Sequence, residues 1–184
     1  MEGKELALKA LNFAKERHEG QKRKFLDTNY FYHPVAVSLG LQQHYEEGEE
    51  DWEVISAGVL HDTIEDTNTT YEELKEEFTT RVADLVQELT IDKEEKKKVG
   101  KKEYLTKHMS NMSDEALLIK LIDRLDNVYG LHQKEVPIKF IKWYLKETEY
   151  ILKNIRREFK EYHKTYIEDL IGTINWIKVK RGLI

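Results

Sequence analysis

His61, Asp62, Glu65 and Asp66 stand within six residues of one another in the stretch Val59-Leu60-His61-Asp62-Thr63-Ile64-Glu65-Asp66-Thr67. An imidazole and three carboxylates at this density suit a divalent cation, proton transfer, or both. The apolar run Val54, Ile55, Ala57, Val59 and Leu60 comes directly before them and can anchor them in a core. If the helix continues through the stretch, His61 and Glu65 share one face and Asp62 and Asp66 the next, about 100° round the axis. Such an edge can present two ligands and two further carboxylates to one cation. The plain alternative is a solvated acidic helix end, because carboxylates are mostly exposed. The rest of the chain has to decide between them.

The elements that position this stretch read as helices. Residues 3 to 18 carry apolar positions at Leu6, Ala7, Ala10, Leu11, Phe13 and Ala14, and Gly20 follows where a C-terminal cap belongs. His18 lies near the end of that helix, a common place for a dipole partner. A loop follows with Lys22, Arg23 and Lys24, then the rings of Phe25, Tyr30, Phe31 and Tyr32. Cations beside aromatic faces can hold a phosphorylated base, and an ordinary solvated loop reads equally well from these residues. His33-Pro34 opens a second helix with Pro34 at its first position, and Asp51 opens the third after a polar break at Gly48 to Glu50.

Thr70-Tyr71-Glu72-Glu73 has the form of a capping box for a short helix to Phe78, and Arg81 to Ile91 forms another. The charge run from Asp92 to Lys102 reads as an exposed loop or a frayed helix. Ser113 caps a helix from Asp114 to about Val128 whose centre is almost wholly apolar. Asp123 sits inside it, and a buried carboxylate needs an arginine, a lysine or a metal as partner. Lys120, Arg124 and Asn127 are near it in sequence, so a salt bridge is the simplest reading of this helix alone. Pro137 starts a long helix, and a last one spans about Tyr162 to Val179. Their aromatic content suits bundle packing or an interface between copies, which allows a homo-oligomer.

Composition narrows the class. A chain of 184 residues without an internal repeat or linker fits one domain over 1–184, with a motif-bearing core of about 3–130 and C-terminal helices at about 136–180. With no cysteine, disulfides, thiolate metal sites and cysteine nucleophiles are excluded, so any metal rests on His, Asp and Glu. The net charge of −5 and the interleaving of signs argue against a nucleic-acid surface. No apolar run approaches the roughly 18 residues of a membrane span, and the first thirty residues lack a signal-peptide core, so a soluble cytoplasmic protein is expected. Only two prolines, with abundant Glu, Lys and Leu, predict an all-α fold.

His33, then His61-Asp62, then Asp123, each on or beside a helix, resembles the HD-domain metal-dependent phosphohydrolases. The runs His18 to Lys24, Tyr30 to Pro34, Leu60 to Thr67, Leu89-Thr90 and Ile119 to Asn127 look like the hydrolase domain of the RelA/SpoT family and stand in that family's order. The resemblance covers about residues 3 to 130 and implies an HD-type helical bundle with a metal site between helices. It implies His33, His61, Asp62 and Asp123 as ligands of one divalent metal, typically Mn2+; the donor set itself suits manganese, iron or zinc. The implied activity removes the 3′-pyrophosphate from guanosine tetra- or pentaphosphate, giving GDP or GTP and pyrophosphate. Glu65 and Asp66 would orient the attacking water or take its proton. Arg23, Lys24 and Arg124 would meet phosphate, and Tyr30 and Asn127 would frame the nucleotide.

This chain departs from the family's pattern in the nucleotide pocket. Phe25-Leu26-Asp27-Thr28-Asn29 stands where a shorter turn with Gly and Pro is usual, Val128-Tyr129-Gly130-Leu131 lacks the usual Arg-Thr, and Asp126 replaces a common His. Too few residues follow 130 for a synthetase domain, so the nearest comparison is the single-domain small alarmone hydrolases. Two other expectations stand beside this one: an HD phosphohydrolase for another nucleotide or a phosphomonoester, and a catalytically silent nucleotide-binding module. The complete set of ligands and water-side carboxylates argues against the second.

Overall fold

The computed structural model describes residues 3–184. It is all-α: among the described residues there is no β-strand, and an isolated antiparallel bridge pairs Lys22 with Asn29. The chain divides into two compact units, Met1–Ile91 and Asp92–Ile184.

The first unit holds α1 (Gly3–Arg17), α2 (Tyr32–Gln42), α3 (Trp52–Leu60), α4 (Thr63–Asp66), α5 (Tyr71–Glu77) and α6 (Thr80–Leu89). Its core is built on α3, where every residue from Val54 to Leu60 is buried and which packs on α1, α2 and α6. A helix apolar all round has this fate. Asp51 caps α3 by accepting the N–H groups of Glu53 and Val54 at 3.2 Å. Arg81 of α6 closes over that end, donating to both Asp51 carboxylate oxygens at 2.9 and 2.7 Å and to Glu53 at 3.1 Å. Gly58 lets α2 approach, since a Cβ there would lie 2.2 Å from Leu41 Cδ1. Helix α2 starts at Tyr32, two residues before the expected Pro34. Proline is tolerated in that first turn because its missing N–H would have had no partner within the helix.

The second unit holds α7 (Lys93–Val99), α8 (Lys101–Asn111), α9 (Asp114–Tyr129), a 3₁₀ turn at Gly130–His132, α10 (Ile138–Asn154) and α11 (Glu161–Lys180). The charge run is thus helical, capped by Asp92 accepting from Glu94 and Glu95 N–H at 2.9 Å. Gly100, at φ +92°, ends α7 and opens α8. Helix α9 is buried continuously from Ala116 to Arg124 and packs on α11, while α10 packs on α8. Part of the aromatic content goes into this packing: Trp176 of α11 stacks on Tyr129 with ring centroids 5.6 Å apart. Among the described residues no helix is long and apolar enough to cross a membrane.

Candidate metal centre

Helix α3 does not run on through the acidic stretch. It stops at Leu60, His61 and Asp62 form a turn, and α4 restarts at Thr63. The Thr63 hydroxyl donates to the Leu60 carbonyl at 2.7 Å, a local bond that competes with the helical ladder. Asp62 sits at φ −102°, ψ 0°, in the sparsely populated bridge region where active-site residues recur. The expected side-by-side faces are therefore replaced by a corner, and the corner aims His61 and Asp62 at the start of α2.

There His33 meets them. Ligand-capable atoms of His33, His61 and Asp62 all lie within 4.8 Å of one another, and the two imidazoles are 2% and 1% exposed. Asp62 Oδ2 is 2.9 Å from His61 Nε2 and 3.9 Å from His33 Nε2. The Tyr30 hydroxyl donates to the same oxygen. The two imidazole rings meet edge to face at 5.1 Å. His61 Nδ1 lies 2.7 Å from the Gly58 carbonyl, which can only accept, so Nδ1 carries the proton. Its Nε2 then faces the Asp62 carboxylate oxygen. Two electron-rich atoms at that distance need a proton or a cation between them, and a backbone-oriented imidazole beside a hydrogen-bonded carboxylate is the usual dress of a metal ligand. The donor set fits a divalent cation.

Residues 10–140 match the family model described as HD domain. That span is most of the chain. The chain belongs to the HD domain family. Among its curated relatives, the guanosine-3′,5′-bis(diphosphate) 3′-pyrophosphohydrolase MESH1 of Xenopus tropicalis is 42% identical over 127 residues, 68% of this chain and 69% of that protein. The guanosine-3′,5′-bis(diphosphate) 3′-pyrophosphohydrolase of Aquifex aeolicus is 43% identical over 132 residues, 67% of this chain but only 17% of that longer protein. A solved structure, described as a metazoan ortholog of SpoT that hydrolyzes ppGpp and plays a role in starvation responses, superposes with a TM-score of 0.75 at 27% identity and covers 97% of both chains.

In this HD domain the other residues singled out from sequence have distinct surroundings. Glu65 is half-buried and Asp66 exposed on α4, next to the corner. Arg23 and Lys24 lie in a short hairpin closed by the Lys22–Asn29 bridge and by Arg23 N–H donating to Thr28 O at 2.8 Å. Phe25 at its tip takes φ +68°, the left-handed conformation that glycine adopts without cost. Lys22 pairs with Asp27 at the exposed surface of this loop. Tyr30, expected to frame a nucleotide, places its hydroxyl on Asp62.

In the second unit, Asp123 has the salt-bridge partner its helix suggested: Lys120 Nζ is 2.8 Å from Oδ2, and Asn127 donates to Oδ1 at 2.5 Å. Arg124 is 5% exposed, donates to Thr148 Oγ1 at 2.9 Å and lies 3.9 Å from Glu147. Glu147 also binds Lys101 at 3.0 Å, and burial pushes the Lys101 amine below its ordinary value despite that carboxylate. Burial likewise pushes the Tyr144 hydroxyl up, beside the Arg124 guanidinium 5.3 Å from its ring.

Sequence reasoning missed two groups that brace the corner. Gln21 donates from Nε2 to the Asp66 carbonyl at 2.9 Å, and the buried His18 ring leans on Tyr30 at 4.9 Å. Their presence in the His18-to-Lys24 run was the one available signal.

Proposed function

We propose that this chain hydrolyses the 3′-pyrophosphate of guanosine tetra- or pentaphosphate, releasing pyrophosphate and leaving GDP or GTP. The observation that carries this reading is the His33–His61–Asp62 cluster, its two imidazoles buried, in an HD domain whose 42%-identical relative bears that activity in its name. In this reading the cluster holds one Mn2+, and Asp123, placed by its motif from Ile119 to Asn127, serves as the fourth ligand. A divalent cation supplies acidification of water near neutral pH and neutralisation of phosphate charge. His61, with Nδ1 committed to Gly58, offers Nε2 in one fixed orientation, and the Tyr30 hydroxyl donates to the Asp62 oxygen beside it. Glu65 and Asp66 orient water and accept its proton as the leaving 3′-oxygen gains one. Arg23, Lys24 and Arg124 are assigned to phosphate, with Asn127 beside the nucleotide. The substrate is a small nucleotide rather than nucleic acid, and the setting is cytoplasmic.

Residues 1–184 act as one HD domain in this reading, which the family match supports because it runs from residue 10 to 140 across the division at 91/92. Phosphorus NMR of guanosine tetraphosphate incubated with the protein and manganese tests the bond that breaks. GDP and pyrophosphate are the expected products, and release of orthophosphate overturns the assignment. The Phe25-to-Asn29 tip and its Lys22–Asp27 pair favour, as a second reading, another nucleotide on the same chemistry.

A further inference from the structure

Gly20, at φ +75°, turns the chain sharply out of α1 and brings Gln21 back over the helix end, where its N–H donates to the His18 carbonyl at 3.1 Å. The Gln21 side chain is then fixed at both ends. Its Nε2 donates to the Asp66 carbonyl at 2.9 Å, which leaves Oε1 facing His18 Nδ1 at 2.8 Å. A carbonyl oxygen accepts only, so His18 Nδ1 must be the donor and carry the proton. His18 Nε2 is buried and has no hydrogen-bond partner in the structure, on a ring that is 0% exposed. Burying such an atom unmatched is costly, and an apolar ring would fill the same space without that penalty.

The two residues both reach groups of the candidate site. Gln21 holds the end of α4 through the Asp66 backbone, and its own carbonyl accepts the Tyr30 N–H at 2.9 Å. His18 supports the face of the Tyr30 ring, whose hydroxyl reaches Asp62. We propose that His18 and Gln21 form a positioning pair: His18, as its Nδ1–H tautomer, fixes the Gln21 amide, which sets the α4 carboxylates and the Tyr30–Asp62 bond. This inference rests on the hydrolase reading of the centre. Neither residue touches substrate or the ligand atoms; they act through Tyr30 and the α4 backbone.

The test uses the full chain with Gln21→Leu, which removes both amide bonds at a half-buried position, and His18→Phe, which keeps the ring. Each variant is expected to lower kcat for guanosine tetraphosphate by about tenfold or more, the scale of small misplacements of reacting groups. KM is expected to stay within about twofold and manganese stoichiometry to stay unchanged, because uniform binding is untouched. Independently of turnover, long-range proton–nitrogen NMR of the histidines should show His18 as the neutral Nδ1–H tautomer in the wild type and lose that state in Gln21→Leu. An Nε2–H tautomer in the wild type overturns the pair, as does unchanged kcat in folded Gln21→Leu when the wild type is active. A wild type that binds manganese but turns over no guanosine tetraphosphate overturns the hydrolase reading and this inference with it.

Discussion

Asp62 Oδ2 is the point on which the candidate centre turns, because His61 Nε2 at 2.9 Å, His33 Nε2 at 3.9 Å and the Tyr30 hydroxyl all meet it. Asp62→Ala deletes a candidate ligand and releases Tyr30, and manganese binding and turnover are expected to be lost together. Tyr30→Phe removes only the hydrogen bond behind the ligand, and should weaken metal affinity or activity by about 10- to 100-fold, as is usual for such supporting partners. Glu65→Ala should leave manganese bound and slow the chemistry. Calorimetric manganese titration beside steady-state kinetics separates the three outcomes, and full manganese affinity in Asp62→Ala would contradict the ligand assignment. These donors were legible in the sequence because chemistry restricts the residue types, and Lys120 was legible as a partner because it stands one helical turn from Asp123. Gln21 was not, since its bond to Asp66 spans 45 positions and exists only once α1 and α4 are placed.

Helix ends decide the geometry at the next scale. Asp51, Thr70 and Ser113 announced the starts of α3, α5 and α9, and each accepts the backbone N–H groups its position requires. The break after Leu60 was hidden, because His61-Asp62-Thr63 has good helical patterning and the break shows only in the folded chain, in the Asp62 backbone and the Thr63 hydroxyl on the Leu60 carbonyl. Helices α7 and α8 were hidden for another reason. The buried face of α8 is sparse, limited to Tyr104, Leu105 and Met109, and α7 buries nothing, so the lysine run masks the helical period. Gly58 links this scale to the site: it admits Leu41 from α2, and its carbonyl orients His61. Gly58→Ala is therefore expected to destabilise the chain by about 1–3 kcal/mol through overpacking in a closed core. Chemical denaturation measures it, and a variant as stable as the wild type would show that the α2–α3 contact is slack.

Across the whole chain, stability should depend on pH through His163, which lies far in sequence from the candidate ligands. Its Nε2–H donates to the Asp114 carbonyl at 2.9 Å and its Nδ1 accepts the Lys160 N–H at 3.3 Å, so only the neutral ring makes both bonds. Burial pushes this imidazole below its ordinary value, Asp114 opposing and Arg157 and Lys160 reinforcing the shift, with Tyr162 packed against the ring. Because the folded value is depressed, the unfolded chain binds the proton first. The contribution is complete above about pH 6.5, the unperturbed value, and is lost as pH falls below it toward the folded value. Thermal melts from pH 8 to pH 5 should show a steeper fall in Tm for the wild type than for His163→Gln, and equal slopes would remove His163 from the account. The all-α class was legible in composition and periodicity, whereas the division at 91/92 was not, because no linker or shift in composition marks it. The central claim, a metal-dependent alarmone hydrolase, is tested most directly by measuring pyrophosphate release from guanosine tetraphosphate with manganese, with chelator, and with Asp62→Ala. Release that requires manganese and vanishes in the variant is the predicted result; no release from manganese-loaded wild type, or release that survives chelator and Asp62→Ala alike, would contradict it.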